Sequence, residues 1–525
     1  MTDVRPAERR RRLGPPPSGF TALWITLLML VVAGLHVGTA QEPADTGVAS
    51  SSDTTAVQPG VEPVPSAQPD TVPEVGGQVR RIEVAGTHWW ERVISVLGLG
   101  VMVLIAWLFS VDRRAFPWRI VWWGVALQFV FALLILQTPP GREFFSLMND
   151  VVIRLLGYTQ EGARFIFGNL VYNNVPVGFP AGEPTMGPLR EVVAGRWANV
   201  GSFFAFTVLP TIIFFSSLMT ILYYLKVMQA AVKAMAWVMQ RTMGTSGAET
   251  LSTAGNVFLG QTEAPLMVKP FVQRMTMSEL NCVMVGGFAN VAGGVLVAYV
   301  GMLYTYFPDI AGHLLAVSVM SAPATVVIAK VMYPEDGEPE TRGTLKADVP
   351  SPDVNVIDAA SRGASEGLAL ALNVGAMLLA FIALIAVLNG LLGWLGGLVG
   401  MENLSLEWML GWVMAPIAWV MGVPWGDARI IGSLLGVKTV VNEFVAYLQL
   451  ANLLQEGAPL DPRSVVIASY ALCGFANFSS IAIQIGGIGG MAPDRRTDLS
   501  RLGLRAMVGG TLATFMCASV AGILL

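Results

Sequence analysis

Apolar residues gather in runs of about 20, the length an α-helix needs to cross a hydrocarbon core of about 30 Å. The pattern predicts eight spans, at about 93–110, 120–137, 203–222, 283–304, 311–332, 368–390, 464–486 and 505–524. The basic loops sort to one side. Arg113, Arg114 and Arg119 follow the first span, and Lys226, Lys233 and Arg241 the third. Arg342, Lys346 and Arg362 lie between the fifth and sixth, and Arg495, Arg496 and Arg501 between the seventh and eighth. All face the cytoplasm if the first span starts outside, which places the C-terminus extracytoplasmically. In the long outer loop 138–202, Phe144–Phe167 mixes apolar and charged residues and reads as an amphipathic helix at the interface or an ordinary loop helix.

Arg5 and Arg9–Arg12 precede the apolar stretch Phe20–Val37, and Gly38-Thr39-Ala40 has the small residues of a cleavage site. Residues 1–40 therefore read as a signal peptide or an uncleaved signal anchor. Residues 41–88, rich in Pro, Ser, Thr, Asp and Gly up to Gln78, read as an exported, disordered spacer. The core occupies 89–525.

Two segments, about 244–275 and 425–454, resist assignment as spans. The first carries Glu249, Asn256, Gln261, Thr262, Glu263, Lys269 and Arg274; the second carries Asp427, Arg429, Lys438, Asn442, Glu443 and Gln449. A carboxylate in mid-membrane facing lipid costs on the order of 3 kcal/mol. Re-entrant hairpins lined by protein or water avoid that cost and keep the basic loops on one side.

Composition agrees. Of 525 residues, 54% are hydrophobic and only 13% charged, with mean hydropathy +0.60, which excludes a soluble enzyme. Thirty-two basic against 36 acidic residues leave net charge −4 and exclude a nucleic-acid binder. Cys282, Cys473 and Cys517 form no CxxC pair, and no Walker loop or HExxH is present. Gly363-Ala364-Ser365-Glu366-Gly367 fits the nucleophile-elbow pattern but leads into an apolar helix, so it reads as chance.

Gly287-Phe288-Ala289-Asn290 recurs letter for letter as Gly474-Phe475-Ala476-Asn477. Each copy lies in a span, follows a polar hairpin and precedes one more span. Three predicted spans separate Glu263 from Glu443, so the two hairpins enter from opposite faces. That is the inverted-repeat plan of secondary transporters, with broken helices meeting near the midplane. Thr262 and Asn442 read as N-caps of half-helices beginning at Glu263 and Glu443. Gln261 and Glu263 offer edges for a planar heterocycle, Glu443, Asn477 and Ser480 suit vicinal hydroxyls, and Phe475 offers an apolar or stacking face. On a purely structural reading, Lys269 and Lys438 would pair with the carboxylates.

The stretches Gly255–Leu266, Asn442–Tyr447 and Ala471–Ile481 resemble the first hairpin, second hairpin and seventh span of the concentrative nucleoside transporters. The resemblance covers residues from about 93 to the C-terminus. It implies an all-α integral membrane homotrimer, not an enzyme, in which a scaffold of early spans plus the sixth surrounds a mobile, elevator-like transport domain. It also implies symport of nucleosides. Gln261, Thr262, Glu263 and Val295 would meet the base, and Glu443, Asn477, Ser480 and Phe475 the ribose. Asn256, with carbonyls near Leu259 and Asn290, would hold sodium. Ala292, Gly293 and Gly294 replace hydroxyl residues of some members, which leaves proton coupling through Glu443 as the alternative; Pro265 and the first hairpin favour sodium. Gly260-Gln261 resembles broadly selective members, so uridine and adenosine are both expected substrates, in a bacterial-type inner membrane. The rivals from other classes are an intramembrane enzyme and a passive channel.

Overall fold

The computed structural model describes residues 88–171, 174–178, 192–199, 204–343, 353–398, 400–401 and 404–525. The signal or anchor segment 1–40 and the spacer 41–88, His88 apart, lie outside them. The first two spans are α1 (Trp89–Leu108) and α2 (Trp118–Leu136). The amphipathic stretch forms α3 (Pro139–Phe167), which starts earlier than expected because Thr138 accepts from Gly141 N at 3.1 Å with prolines in the first turn. After it, β1 (Asn174–Gly178) and β2 (Val192–Asn199) pair antiparallel, a small departure from the all-α expectation.

The third span ends in α4 (Leu209–Tyr224) and is followed by α5 (Val227–Met243). The first polar hairpin holds α6 (Gly247–Gly255) and a 3-10 turn at Ala264–Val268. The fourth predicted span is two helices, α7 (Met277–Ala289) and α8 (Gly293–Leu303), and α9 (Ile310–Met332) follows. The sixth span, α10 (Val356–Leu398), has 43 residues where the hydropathy predicts 368–390. At 1.5 Å per residue it reaches roughly 65 Å, about twice the hydrocarbon core. Arg362, bonded through Nε and Nη2 to both Asp353 oxygens at 2.6 and 2.8 Å, pins its start.

A helix the hydropathy missed, α11 (Leu406–Val420), turns by 119° into α12 (Trp425–Val440). Fifteen residues are too few to be read as a span, and Pro416 inside it reads as a breaker. The second hairpin continues with α13 (Glu443–Gln455). The seventh span divides into α14 (Pro462–Leu472) and α15 (Phe478–Met491), and α16 (Arg496–Leu524) closes the chain. Each half therefore runs as span, short helix, hairpin, broken span, span, which adds α5 and α11 to the repeat seen in sequence.

Burial separates the helices. An 18-residue apolar stretch within 277–303 is 94% buried and one within 310–332 is 89%, whereas one within 356–398 is 11%. α1 packs on α16 and α2 on α9, and α4 packs along α10 and α8. Among the described residues, the third of the early spans packs along the sixth. The elbow-like motif supplies that contact. Cβ atoms at Gly363 and Gly367 would lie 2.7 and 2.8 Å from Ser217 Cα and Ile213 Cα, so small residues let two backbones approach. Ser365 Oγ donates to the Ser361 carbonyl at 3.0 Å, a helix-internal bond.

Candidate functional site

The two GFAN copies are the two breaks, and they touch. Asn290 ends α7 in extended conformation, and its carbonyl accepts from Phe475 N at 3.3 Å. Gly474 has φ +134°, and a Cβ there would lie 2.9 Å from the Phe288 carbonyl oxygen. Glycine is required twice over, for the dihedral and for the close approach. Asn477 then starts α15, its Oδ1 accepting from Ser480 N at 2.9 Å and Ser479 Oγ at 2.7 Å.

Four of the expected residues form one hydrogen-bonded chain across the break. Gln261 Nε2 donates to Ser480 Oγ (3.3 Å), the Asn477 side chain caps the Ser480 amide, and Asn477 Nδ2 donates to Glu443 Oε2 (2.9 Å). Tyr299 Oη donates to Glu443 Oε1 at 3.0 Å. Glu443, Asn477 and Ser480 are buried, with exposures of 4%, 2% and 2%. Asn442 is the N-cap of α13, as expected, accepting from Val445 N at 2.8 Å. Lys438 does not pair with Glu443; it donates to the Ala471 carbonyl (2.7 Å) and Thr514 Oγ1 (3.1 Å).

The first hairpin tip departs from expectation in one respect. Thr262 does not cap a helix; Glu263 stands at the N-cap of the 3-10 turn without a side-chain cap bond, and its carboxylate accepts from Gly260 N at 3.0 Å. The tight Gly260–Glu263 turn captures the carboxylate, and Pro265 in the next turn enters a 3-10 rather than an α start. Thr262 packs on α15 instead, since a Cβ at Gly487 would lie 2.5 Å from its Cγ2. Glu263 is exposed in the single chain. Val295 is buried in the first turn of α8, and Phe475 is half-buried.

The expected ion residues Asn256, Leu259 and Asn290 lie along the first hairpin and the first break; a Cβ at Gly286 would lie 2.9 Å from Asn256 Nδ2, and the Gly286 carbonyl accepts from Asn290 Nδ2 at 3.4 Å. Phe258 O, next to the half-buried Leu259, accepts from Gly293 N at 3.1 Å and ties the hairpin tip to α8. Asn290 Oδ1 accepts a short bond from Ser321 Oγ on α9. Asn256 ends α6, donating Nδ2 to Ser252 O at 3.1 Å. Among the described residues, no three or more His, Cys, Asp or Glu side chains gather as metal ligands. The amide, hydroxyl and carbonyl oxygens here are hard ligands.

Sequence reasoning missed Tyr299, Gln484 and Ser321. Tyr299 follows Val295, and Gln484 follows Ser480, by one helical turn, so helical periodicity places each pair on one face. Gln484 Nε2 donates to Gln261 Oε1 (3.3 Å) and the Met284 carbonyl (3.2 Å). Missed too was the charged base of the first hairpin. Lys330, 2% exposed, pairs with Glu249 (2.7 Å) and Glu335 (2.9 Å) and donates to Ser278 Oγ (2.9 Å). The capping boxes Ser246/Glu249 and Thr276/Glu279 meet there through Ser246 Oγ to Glu279 at 2.6 Å. Their S/T-x-x-E spacing is legible in sequence.

Broken helices meeting over a buried polar chain, inside a bundle of apolar spans, define a multi-pass membrane transporter. The comparisons narrow this. Residues 97–170 and 313–522 match the N- and C-terminal models of the Na+ dependent nucleoside transporters, and 205–306 match a nucleoside recognition model. A Haemophilus influenzae transporter is 43% identical over 82% of this chain and 97% of its own length. Sodium/nucleoside cotransporter 1 of Mus musculus is 39% identical over 83% of this chain and 64% of its own. The structure of CNTnw in an inward-facing substrate-bound state aligns with TM-score 0.72 and 42% identity, covering 82% of this chain and 97% of that one. The chain belongs to the concentrative nucleoside transporter family, a family of nucleoside transporters rather than enzymes.

Proposed function

We propose that the protein is a sodium-coupled importer of purine and pyrimidine nucleosides, uridine and adenosine among them. The observation that carries this is the chain Gln261–Ser480–Asn477–Glu443–Tyr299, which links donor and acceptor groups from both hairpins at the contact of the two breaks. The base lies toward Gln261, Thr262, Glu263 and Val295. The ribose hydroxyls meet Glu443, Asn477 and Ser480, with Phe475 beside the sugar. A carboxylate accepting from two hydroxyls gives strong, charge-assisted bonds. Neighbouring side chains hold these groups in place, and the nucleoside exchanges with those bonds.

Sodium binds at the first break, held by Asn256 with the carbonyls near Leu259 and Asn290, where Ser321 Oγ bonds the Asn290 side chain. The names of the mammalian relatives support this choice of ion. For movement, α4 and α10 form the stationary pair, closed by Gly363 and Gly367. α8 meets α4 through Gly294, whose Cβ position lies 3.5 Å from Ser216 N and 3.7 Å from Ile212 O, ordinary contact distances suited to sliding. The hairpins are re-entrant from opposite faces, and the body that carries them moves as an elevator. α10 exposes Leu379, Val387 and Leu391, an apolar face for two further copies in a homotrimer. The distribution of basic loops supports an orientation with the C-terminus outside, in a bacterial-type inner membrane.

Binding of labelled uridine to purified protein, with and without sodium and with adenosine as competitor, tests the substrate and its breadth. Sodium-dependent uridine binding displaced by millimolar adenosine is expected. Uridine binding that adenosine does not displace would overturn the broad selectivity.

A further inference from the structure

Arg119, in the first turn of α2, reaches across to the end of α5. Its Nε and Nη2 share one acceptor, the Thr242 carbonyl, at 3.4 and 3.3 Å. The guanidinium rests on Gly244, where a Cβ would lie 3.3 Å from Arg119 Cζ. Gly244 has φ +77°, so the backbone and the close approach both require glycine there. Arg241 adjoins Thr242 in the chain and is exposed. A second guanidinium is thus tethered one residue from the carbonyl that holds the first.

Neither arginine has a counter-charge. Among the described residues, Arg119 and Arg241 form no ion pair. From Leu225 to Met243 the chain carries Lys226, Lys233 and Arg241 and no carboxylate. Between Phe109 and Trp123, Asp112 is the one acid against Arg113, Arg114 and Arg119, and its Oδ1 accepts from Arg114 N at 2.9 Å. Like charges gathered this way repel, and an anion between them removes the cost. Each guanidinium has five N–H donors in a fork that matches phosphate, and Arg119 spends two on one shared carbonyl.

The surroundings are apolar and aromatic. Trp118 and Trp122 on α2 and Trp237 on α5 are exposed by 64, 68 and 62%. Trp118 adjoins Arg119, and Trp237 stands one helical turn before Arg241 on the same face. Exposed indoles settle at the headgroup level of a bilayer, which sets both guanidiniums at the depth of lipid phosphates. Beyond Trp118 and Trp122, every fourth residue of α2 is again exposed and apolar, at Ala126, Val130 and Leu134. At 1.5 Å per residue this stripe runs roughly 24 Å, longer than the ~15 Å of one leaflet's hydrocarbon.

We propose that Arg119 and Arg241 bind the phosphate of an anionic phospholipid, whose acyl chain lies along the Trp118–Leu134 stripe of α2 with Trp237 beside the headgroup. The lipid belongs to the leaflet that the basic loops face. Thr242 and Gly244 lead directly into the Ser246 cap of α6, so the bound headgroup braces the base of the first hairpin.

The test reads binding, which keeps it independent of the transported solute. Full-length protein in neutral detergent is titrated with dioleoyl phosphatidylglycerol, dioleoyl phosphatidylcholine or inorganic phosphate at equal ionic strength, and melting is followed. Phosphatidylglycerol should raise the melting temperature saturably, and neither of the others should. Arg241→Gln, which removes no bond within the chain, should raise the half-saturating phosphatidylglycerol concentration about fivefold, the usual contribution of one basic residue at an anionic surface. Arg119→Gln should do the same, and Arg241→Gln decides alone if that variant does not fold. Trp122→Ala should weaken the phosphatidylglycerol response as well. Equal stabilisation by phosphatidylcholine would overturn the phosphate site and leave only acyl contact. Stabilisation by inorganic phosphate at the same arginines would overturn the lipid in favour of a soluble anion. An unchanged titration in folded Arg241→Gln would place the lipid elsewhere and overturn the site.

Discussion

Glu443→Gln separates binding from folding. The carboxylate is 4% exposed at the start of α13 and accepts from Tyr299 Oη at 3.0 Å and Asn477 Nδ2 at 2.9 Å. Glutamine keeps the shape but turns one acceptor into a donor that faces a donor, and it removes the charge that strengthens bonds to ribose hydroxyls. A hydrogen bond to a charged group contributes about 1.5–3 kcal/mol. At 1.4 kcal/mol per tenfold, uridine affinity should fall roughly ten- to hundredfold, and transport at low uridine should be abolished. Stability should move the other way or not at all, because the amide leaves a buried site with one formal charge fewer and nearly the same packing. Radiolabelled uridine binding and uptake measure the first effect; size-exclusion chromatography and a melting curve measure the second. Tyr299→Phe, which removes one donor and leaves the carboxylate, should weaken binding by less. Wild-type uptake by a correctly assembled Glu443→Gln protein would show that the ribose does not bind there.

Gly474→Ala should lower stability by about 1–3 kcal/mol, because it forces a side chain to φ +134° and against the Phe288 carbonyl. Melting and expression yield read this, and an unchanged melting temperature would mean the contact between the breaks is looser than described. Lys330→Met strands Glu249 in a buried site and should cost about 3–5 kcal/mol. Adding Glu249→Gln should recover a large part of that loss; no recovery would mean the pair acts through something other than charge balance. Gly367→Leu pushes into the Ile213 backbone and should separate α10 from α4, read as reduced assembly on native electrophoresis.

Most of the frame was legible because lipid imposes it. Apolar runs must be long, and polar hairpins must be shielded, so spans and hairpins are readable from composition alone. The repeated GFAN marked matching points of the two halves, though it was read inside unbroken spans; the breaks there follow because Asn favours caps over helix interiors and Gly474 needs a conformation other residues rarely adopt. What was not legible depends on contacts distant in sequence. Helix α11 is too short to be read as a span, and α10 runs far beyond its apolar segment into polar residues that still favour helix. Thr262 looked like a cap because its neighbours resemble a helix start, but the Gly260 amide takes the Glu263 carboxylate first. Ser321 is an ordinary polar residue on a helix until its bond to Asn290 appears.

The central claim is that a cation gradient drives nucleosides through this site. Purified protein in proteoliposomes, given radiolabelled uridine and an inward gradient of either sodium or protons, tests it most directly. Accumulation above the external concentration under the sodium gradient alone is the predicted result. Accumulation under the proton gradient alone would contradict sodium coupling and move the coupling role to a carboxylate such as Glu443. Mere equilibration under both gradients would contradict the carrier account and point to a passive path.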